Sequence, residues 1–178
     1  MTRRGLKLGS VLLGGVVLAT LGYVRRDDTS PPAGSAPGML PPASPTAPQL
    51  TAPRRCARVI DGDTVELEGG ERVRLIGVNT PESVDPRRPV ERFGKEAFEF
   101  TRRLAEGKAL RLEYDAETRD QFGRTLAYIY LPDGRLLNAE IIRQGYGFAY
   151  TRFPYRRAQE FVGLEREARE QGRGLWAR

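Results

Sequence analysis

Residues 55–78 read RCARVIDGDTVELEGGERVRLIGV, and this stretch decides the fold. Apolar and polar side chains alternate through Arg55–Ile60, Thr64–Leu67 and Arg72–Val78, the period of strands with one buried face. Asp61-Gly62-Asp63 separates the first run from the second, and Gly69-Gly70 the second from the third; both are turn signals. A three-stranded meander is expected. Further along, Phe93, Ala97, Phe100 and Leu104 recur at helical spacing, with Gly107 as a stop. Ala109–Tyr114 and Leu126–Leu131 supply two more strands, the second ended by the turn Pro132-Asp133-Gly134. Leu137–Gln144 reads as a short helix capped by Asn138 and stopped by Gly145, and Phe161, Leu164 and Ala168 mark a last helix. Five strands with a helix between the third and fourth is the element order of an OB barrel. The expected class is therefore α+β, mainly β: a five-stranded OB-fold barrel with three helices over residues 54–178.

Toward the N-terminus the composition changes twice. Arg3, Arg4 and Lys7 lead into an apolar run, Leu8–Val24, closed by Arg25 and Arg26. Residues 1–26 thus read as an N-terminal hydrophobic helix, either an export signal cleaved after Ala19 or a membrane anchor. The pair Arg3-Arg4 also suits a twin-arginine signal, so the export route stays open. Residues 27–53 hold eight of the chain's 13 prolines, with Ala, Ser, Thr and Gly between them. Too little apolar surface is available there to fold, so this reads as a Pro-rich disordered linker reaching roughly 80 Å. The expected location is outside the cytoplasm: secreted, periplasmic or tethered through Leu8–Val24.

Composition narrows the chemistry. The 178 residues include one Cys and no His. Histidine-based triads, histidine metal centres, zinc ribbons and internal disulfides are excluded, leaving carboxylates, arginines, hydroxyls and oxygen-ligated metals. The net charge of +6 splits evenly, because residues 1–53 carry five basic and two acidic side chains and residues 54–178 carry 24 and 21. A domain at +3 permits a polyanionic partner without requiring one. Its basic clusters, Arg54/Arg55/Arg58, Arg87/Arg88/Arg92 and Arg152/Arg156/Arg157, read first as solvated faces.

Three stretches carry chemical possibilities. Asp61-Gly62-Asp63-Thr64 places two carboxylates around a turn. Arg74 lies on a strand that ends in Asn79-Thr80-Pro81-Glu82, where proline fixes the backbone of a polar hook. Arg119-Asp120-Gln121-Phe122-Gly123-Arg124 is a glycine turn that delivers an arginine. Each has a structural reading beside the chemical one: Arg74 facing solvent, Glu82 as a turn carboxylate, Arg124 in an ion pair with Asp120 or Glu82, Asn138 as a cap. Together, in this order and on this barrel pattern, they form a strong signal, and their residue types would suit phosphodiester chemistry. A hard cation polarises a phosphoryl oxygen, two guanidinium groups neutralise developing charge, and a carboxylate activates water where no imidazole exists.

With those residues in view, Val59–Trp176 resembles the staphylococcal nuclease (thermonuclease) family. The likeness rests on Asp61-Gly62-Asp63-Thr64, Arg74 with Thr80-Pro81-Glu82, Gly123-Arg124 followed by Ala127-Tyr128, Asn138, Arg143-Gln144-Gly145 and Trp176. The resemblance implies calcium-dependent hydrolysis of DNA and RNA, with Ca2+ as cofactor and nucleic acid as partner. It implies Asp63, Asn79 and the Thr80 carbonyl as metal ligands, Glu82 as the carboxylate that orients or deprotonates water, and Arg74 and Arg124 on the scissile phosphate. Tyr150 and Arg152 would contact substrate. Asn79 departs from the family's second aspartate, Gln121 from a lysine, Phe122 from a tyrosine and Arg152 from a second tyrosine. Weaker binding of short nucleotides is then expected, with Arg152 and Arg156 engaging longer strands. A monomer is expected. The alternative is a catalytically silent OB-fold module that binds nucleic acid or protein at the cell surface.

Overall fold

The computed structural model describes residues 49–83 and 91–177. The leader, the Ala19 cleavage position, most of the linker, and Arg87 and Arg88 lie outside the described residues. Among the described residues no helix is long and apolar enough to cross a membrane.

The meander forms as expected: β1 (Arg54–Asp61) pairs antiparallel with β2 (Thr64–Leu67), which pairs antiparallel with β3 (Arg72–Leu75). After helix α1 (Gly94–Ala105), β5 (Ala109–Glu113) and β6 (Thr125–Tyr130) complete a closed barrel in the order β1-β2-β3-β6-β5. The seams are the parallel pair β3–β6 and the antiparallel pair β1–β5. At the edge before β1, the Thr51 N–H donates to the Leu112 carbonyl at 2.9 Å. Alternation puts Val59, Val65, Leu67, Val73, Leu75, Leu112, Ala127 and Ile129 inside, each at most 5% exposed.

The sequence reading of Arg72–Val78 as one strand fails at its end. Gly77 has φ +71°, a left-handed conformation that breaks the ladder, so the strand stops at Leu75 and a separate two-residue strand, β4 (Val78–Asn79), follows. β4 pairs with β7 (Phe148–Ala149), a small second sheet that strand periodicity is too short to reveal.

The helices seal the barrel. α1 turns Gly94, Ala97, Thr101 and Ala105 inward at helical spacing. Its Thr101 hydroxyl donates to the Gly62 carbonyl at 2.6 Å, and just past its end the Glu106 carboxylate accepts the Val59 N–H at 3.1 Å. Helix α2 (Leu137–Arg143) begins after Leu136, so Asn138 is not its cap. Asn138 is fully buried instead. Its Oδ1 accepts the Ile129 N–H at 2.9 Å, while Nδ2 donates to the Ile76 carbonyl at 2.9 Å. It joins α2 to β6 and to the end of β3, satisfying backbone groups that would otherwise cost about 1–3 kcal/mol each. Helix α3 (Ala158–Glu170) inserts Phe161, edge-on to Tyr128 at 6.2 Å; both rings are fully buried. Truncating Phe161 to Ala would cost about 3–5 kcal/mol.

A 3₁₀ turn, Gly174–Trp176, closes against the end of α2 through Leu175 N–H donating to the Gly145 carbonyl at 2.8 Å. The two backbones touch: a Cβ on Gly145 would lie 2.3 Å from the Arg173 carbonyl oxygen, and one on Gly174 would lie 2.4 Å from that of Gly145. Cys56, the free thiol, is fully buried on β1, where burial first and the Glu106 carboxylate second push it up to about 11.

Candidate active site

The chemistry-bearing residues gather where β1 turns into β2 and where β4 ends. Asp63 is buried, and its carboxylate is held from three sides. Thr64 Oγ1 donates to Oδ1 at 3.0 Å, the Thr80 N–H donates to Oδ2 at 3.1 Å, and Arg74 pairs with Oδ2 at 2.7 Å. Arg74 Nη1 also reaches the Asp63 carbonyl at 3.2 Å. With five N–H donors on the guanidinium, these contacts leave others free for a ligand. Strand register explains the meeting, since Arg74 sits opposite Thr64 across the β2–β3 ladder.

Two residues that the sequence reading did not assign complete the cluster. Asp61 Oδ1 accepts the Ser83 hydroxyl at 2.6 Å and the Gly62 N–H at 2.8 Å. The Ser83 N–H donates to Glu82 Oε1 at 3.0 Å. Ser83 therefore brackets two carboxylates that arrive on different loops. The available signal was Asp61 itself, two residues from Asp63 at the end of a strand. The Asp61 carboxyl titrates above its usual range: burial contributes most, and Asp63 and Glu82 add like charge, against the Ser83 and Gly62 hydrogen bonds.

Glu82 is fixed from behind by a reciprocal backbone clamp. Its N–H donates to the Glu91 carboxylate at 3.2 Å, and the Glu91 N–H donates to its carbonyl at 2.9 Å. Gly94 packs so tightly on the Glu82 carbonyl that a Cβ would lie 2.5 Å away. The neighbouring Phe93 holds φ +73°, a strained value for a bulky residue, while its ring stacks on Tyr146 at 5.3 Å.

The remaining sequence-predicted residues fall on and just after β4 and on the segments beside β6 and β7. Thr80 is buried, and its Oγ1 has no hydrogen-bond partner among the described residues. Asn79 is exposed on β4, opposite Phe148. Tyr150 follows β7, donates its N–H to the Gly77 carbonyl at 2.9 Å, and leans on Phe153 at 6.1 Å. Arg152 is exposed with its guanidinium 5.9 Å from the Phe153 ring centre. Arg124 immediately precedes β6, two residues before Leu126, which pairs with Arg74. Its Nε donates to Asp120 Oδ2 at 2.7 Å, the ion pair that the sequence offered as one alternative. Arg156, expected to engage longer strands, pairs with Asp115 at 3.0 Å and Glu113 at 3.0 Å.

Among the described residues no group of three or more His, Cys, Asp or Glu side chains is arranged to hold a metal ion alone. The donors nonetheless suit a hard cation completed by backbone oxygens and water: Asp63 is a buried carboxylate, Asp61 titrates high beside it, and the Thr80 hydroxyl is buried and, among the described residues, unsatisfied.

Residues 72–178 match the family model for staphylococcal nuclease homologues. The match includes Arg74, Glu82 and Arg124 and begins after Asp63. The chain is 40% identical over 125 residues to a thermonuclease of Staphylococcus intermedius, covering 68% of this chain and 74% of the relative. It is 38% identical over 124 residues to a thermonuclease of Staphylococcus hyicus, covering 67% and 73%. Against an uncharacterized endonuclease of Escherichia coli the identity is 32% over 126 residues, covering 69% and 76%.

Proposed function

This chain belongs to the staphylococcal nuclease family and is a phosphodiester hydrolase, and we propose that it is a calcium-dependent nuclease of DNA and/or RNA working outside the cytoplasm. The observation that carries the reading is the buried Asp63–Arg74 pair with the carboxylates of Asp61 and Glu82 close enough to add like charge to one another. Asp63, Asn79 and the Thr80 carbonyl would hold the cation, which supplies Lewis-acid polarisation of a phosphoryl oxygen when bound. Glu82, its backbone pinned by Glu91, orients water and takes its proton at a carboxylate oxygen. Arg74 keeps N–H donors beyond those given to Asp63, and Arg124 stands two residues before its strand partner Leu126. The two forks would share the charge that builds on the phosphate. Tyr150 and Arg152, joined to β4 through β7, would contact the flanking strand.

Asn79 adds no charge to the metal shell, so calcium affinity should lie in the weak range, about 10⁻⁴–10⁻³ M. Such affinity suits an extracellular location, in line with the apolar leader Leu8–Val24 and the proline-rich stretch to Pro53, read as an export signal or anchor and a spacer. The domain is read as a monomer. The second reading, a silent binding module, has one observation in its favour: both arginines are engaged by carboxylates, Arg74 by Asp63 and Arg124 by Asp120.

The test is digestion of single-stranded DNA over a calcium titration and in EDTA, with wild type and Glu82→Gln. Calcium-requiring cleavage that falls about 10²–10⁴-fold in Glu82→Gln is expected. Cleavage in EDTA, or cleavage indifferent to the substitution, overturns the mechanism; no cleavage with intact strand binding selects the silent module.

A further inference from the structure

Three aromatic rings from separate parts of the chain meet behind Glu82. Phe93 precedes α1, Phe100 lies inside it, and Tyr146 follows α2. The Tyr146 ring stacks on Phe100, 4.0 Å between centres and 12° from parallel, and on Phe93 at 5.3 Å and 30°. Tyr146 is the rooted member. Its N–H donates to the Ile141 carbonyl at 2.8 Å, and a Cβ on the adjacent Gly147 would lie 3.1 Å from the Asn79 carbonyl oxygen. Helix α1, which carries the other two rings, touches both carboxylate-bearing loops. Its Thr101 hydroxyl donates to the Gly62 carbonyl, and its Gly94 packs on the Glu82 carbonyl.

The backbone at Phe93 is strained to make this junction. The Gly94 N–H donates to the Glu91 carbonyl at 3.0 Å, closing a turn in which Phe93 takes φ +73° and ψ 4°. Those angles belong to the third position of a type II turn, where glycine is the usual residue. A bulky side chain persists there only when surrounding contacts over-determine the conformation. The stack on Tyr146 is such a contact. It keeps the turn wound, and the turn supplies both halves of the clamp on Glu82, the Glu91 N–H and the Glu91 carboxylate.

We propose that Phe93 and Tyr146 are positioning residues for Glu82: their stack holds a strained turn that fixes the backbone from which the Glu82 carboxylate reaches the reaction centre. The proposal rests on the reading of Glu82 as the residue that orients water. Strain and packing make opposite demands at position 93. Glycine adopts the turn without strain and has no need of the stack, whereas leucine fills more of the space but keeps the strain and cannot stack.

The full chain and its variants are compared in cleavage of single-stranded DNA at saturating calcium, and in amide hydrogen exchange at Glu91 and Gly94 in EDTA. Phe93→Leu should lower kcat about tenfold to a hundredfold with KM little changed. It should also speed exchange about tenfold. Phe93→Gly should lose only a few-fold in kcat although it melts at the lower temperature, and Phe93→Tyr should match wild type. In a Glu82→Gln background all three should cleave alike, since the effect runs through that carboxylate. A kcat order that follows the melting order, a Phe93→Leu effect that persists in Glu82→Gln, or unchanged exchange overturns the proposal. If Phe93→Leu does not fold, Tyr146→Leu removes the stack from its other partner. Adding Phe93→Gly to it should then restore kcat, and no restoration also overturns the proposal. Wild-type cleavage indifferent to Glu82→Gln defeats the catalytic reading, while faster exchange in Phe93→Leu than in Phe93→Gly still shows the stack holding the turn. Cleavage that needs Glu82, with exchange alike in every variant, gives the reverse.

Discussion

Two carboxylate clusters in this barrel are built on opposite principles. At the candidate active site, buried Asp63 pairs with Arg74, while Asp61 is held by the Ser83 hydroxyl and the Gly62 N–H with Glu82 nearby. Across the molecule, Glu113 and Asp115 meet two arginines, Arg156 and Arg157, and two tyrosines: Tyr128 donates to Asp115 at 2.7 Å and Tyr130 to Glu113 at 2.7 Å. The titrations diverge accordingly. Asp61 is raised, by burial and then by its acidic neighbours. Asp115 is lowered, because hydrogen bonds from Arg156 and Tyr128 outweigh the burial that acts against them. The second cluster, satisfied from within the chain, fastens the segment before α3 to the barrel. In the first, Asp63 and Glu82 add like charge to a buried Asp61, a repulsion that a bound cation would relieve.

The comparison breaks most visibly at the arginines. Arg74→Met should lower kcat/KM for single-stranded DNA by about 10²–10³, the loss expected when one transition-state donor is removed. A loss of only a few-fold would put Arg74 among structural pairs. Arg157→Met, on the balanced side, should instead cost about 2 kcal/mol in urea melts, with kcat per folded molecule retained. An equal stability loss in both variants would erase the distinction.

A smaller effect sharpens it. Ser83→Ala releases Asp61 from its hydroxyl bond and should reduce kcat about threefold to tenfold, with KM and melting temperature little changed and Ser83→Thr restoring the rate. A loss confined to melting temperature would make Ser83 a structural link only.

The smallest expected effects lie in acid stability measured in EDTA. Asp115 has a depressed folded pKa, so its contribution is present above the unfolded value of about 3.9 and disappears as pH falls through the folded one. Asp61 is raised, so its charged form opposes folding, and stability is gained as pH falls through its folded pKa toward about 3.9. Asp115→Asn should therefore melt below wild type at neutral pH and converge with it in acid. Asp61→Asn should melt a little above wild type at neutral pH. Shifts of the same sign would mean that the two clusters are electrostatically alike.

Much of this was legible in the chain. The meander, the order of five barrel strands and the three helices follow from period and punctuation, because barrel closure demands an alternating inner face that the sequence displays. The second sheet was not legible: at two residues per strand, β4 and β7 carry no period, and Gly77 resembles any strand glycine until its φ is known. Asn138 misled for a related reason. A polar residue near a helix start resembles a cap, whereas here its amide bonds three separated backbone groups, at Ile76, Ala127 and Ile129. At the site, the resemblance implied Asp63, Arg74, Thr80 and Glu82, and both Arg74 and the Thr80 N–H do meet the Asp63 carboxylate. Ser83 and Glu91 act through contacts between loops, which no local pattern encodes.

The contact between Gly145 and Gly174 bears on how mutational maps of this domain should be read. Either position would have to push a carbonyl aside to accept even alanine, and no single substitution elsewhere makes room at both. In a saturation scan scored by nuclease activity, both would look as indispensable as any residue of the reaction centre, although they share only a backbone contact. Scoring the same library by abundance separates the two kinds of intolerance: glycine variants would vanish from the folded pool, and variants at Glu82 would remain in it, inert.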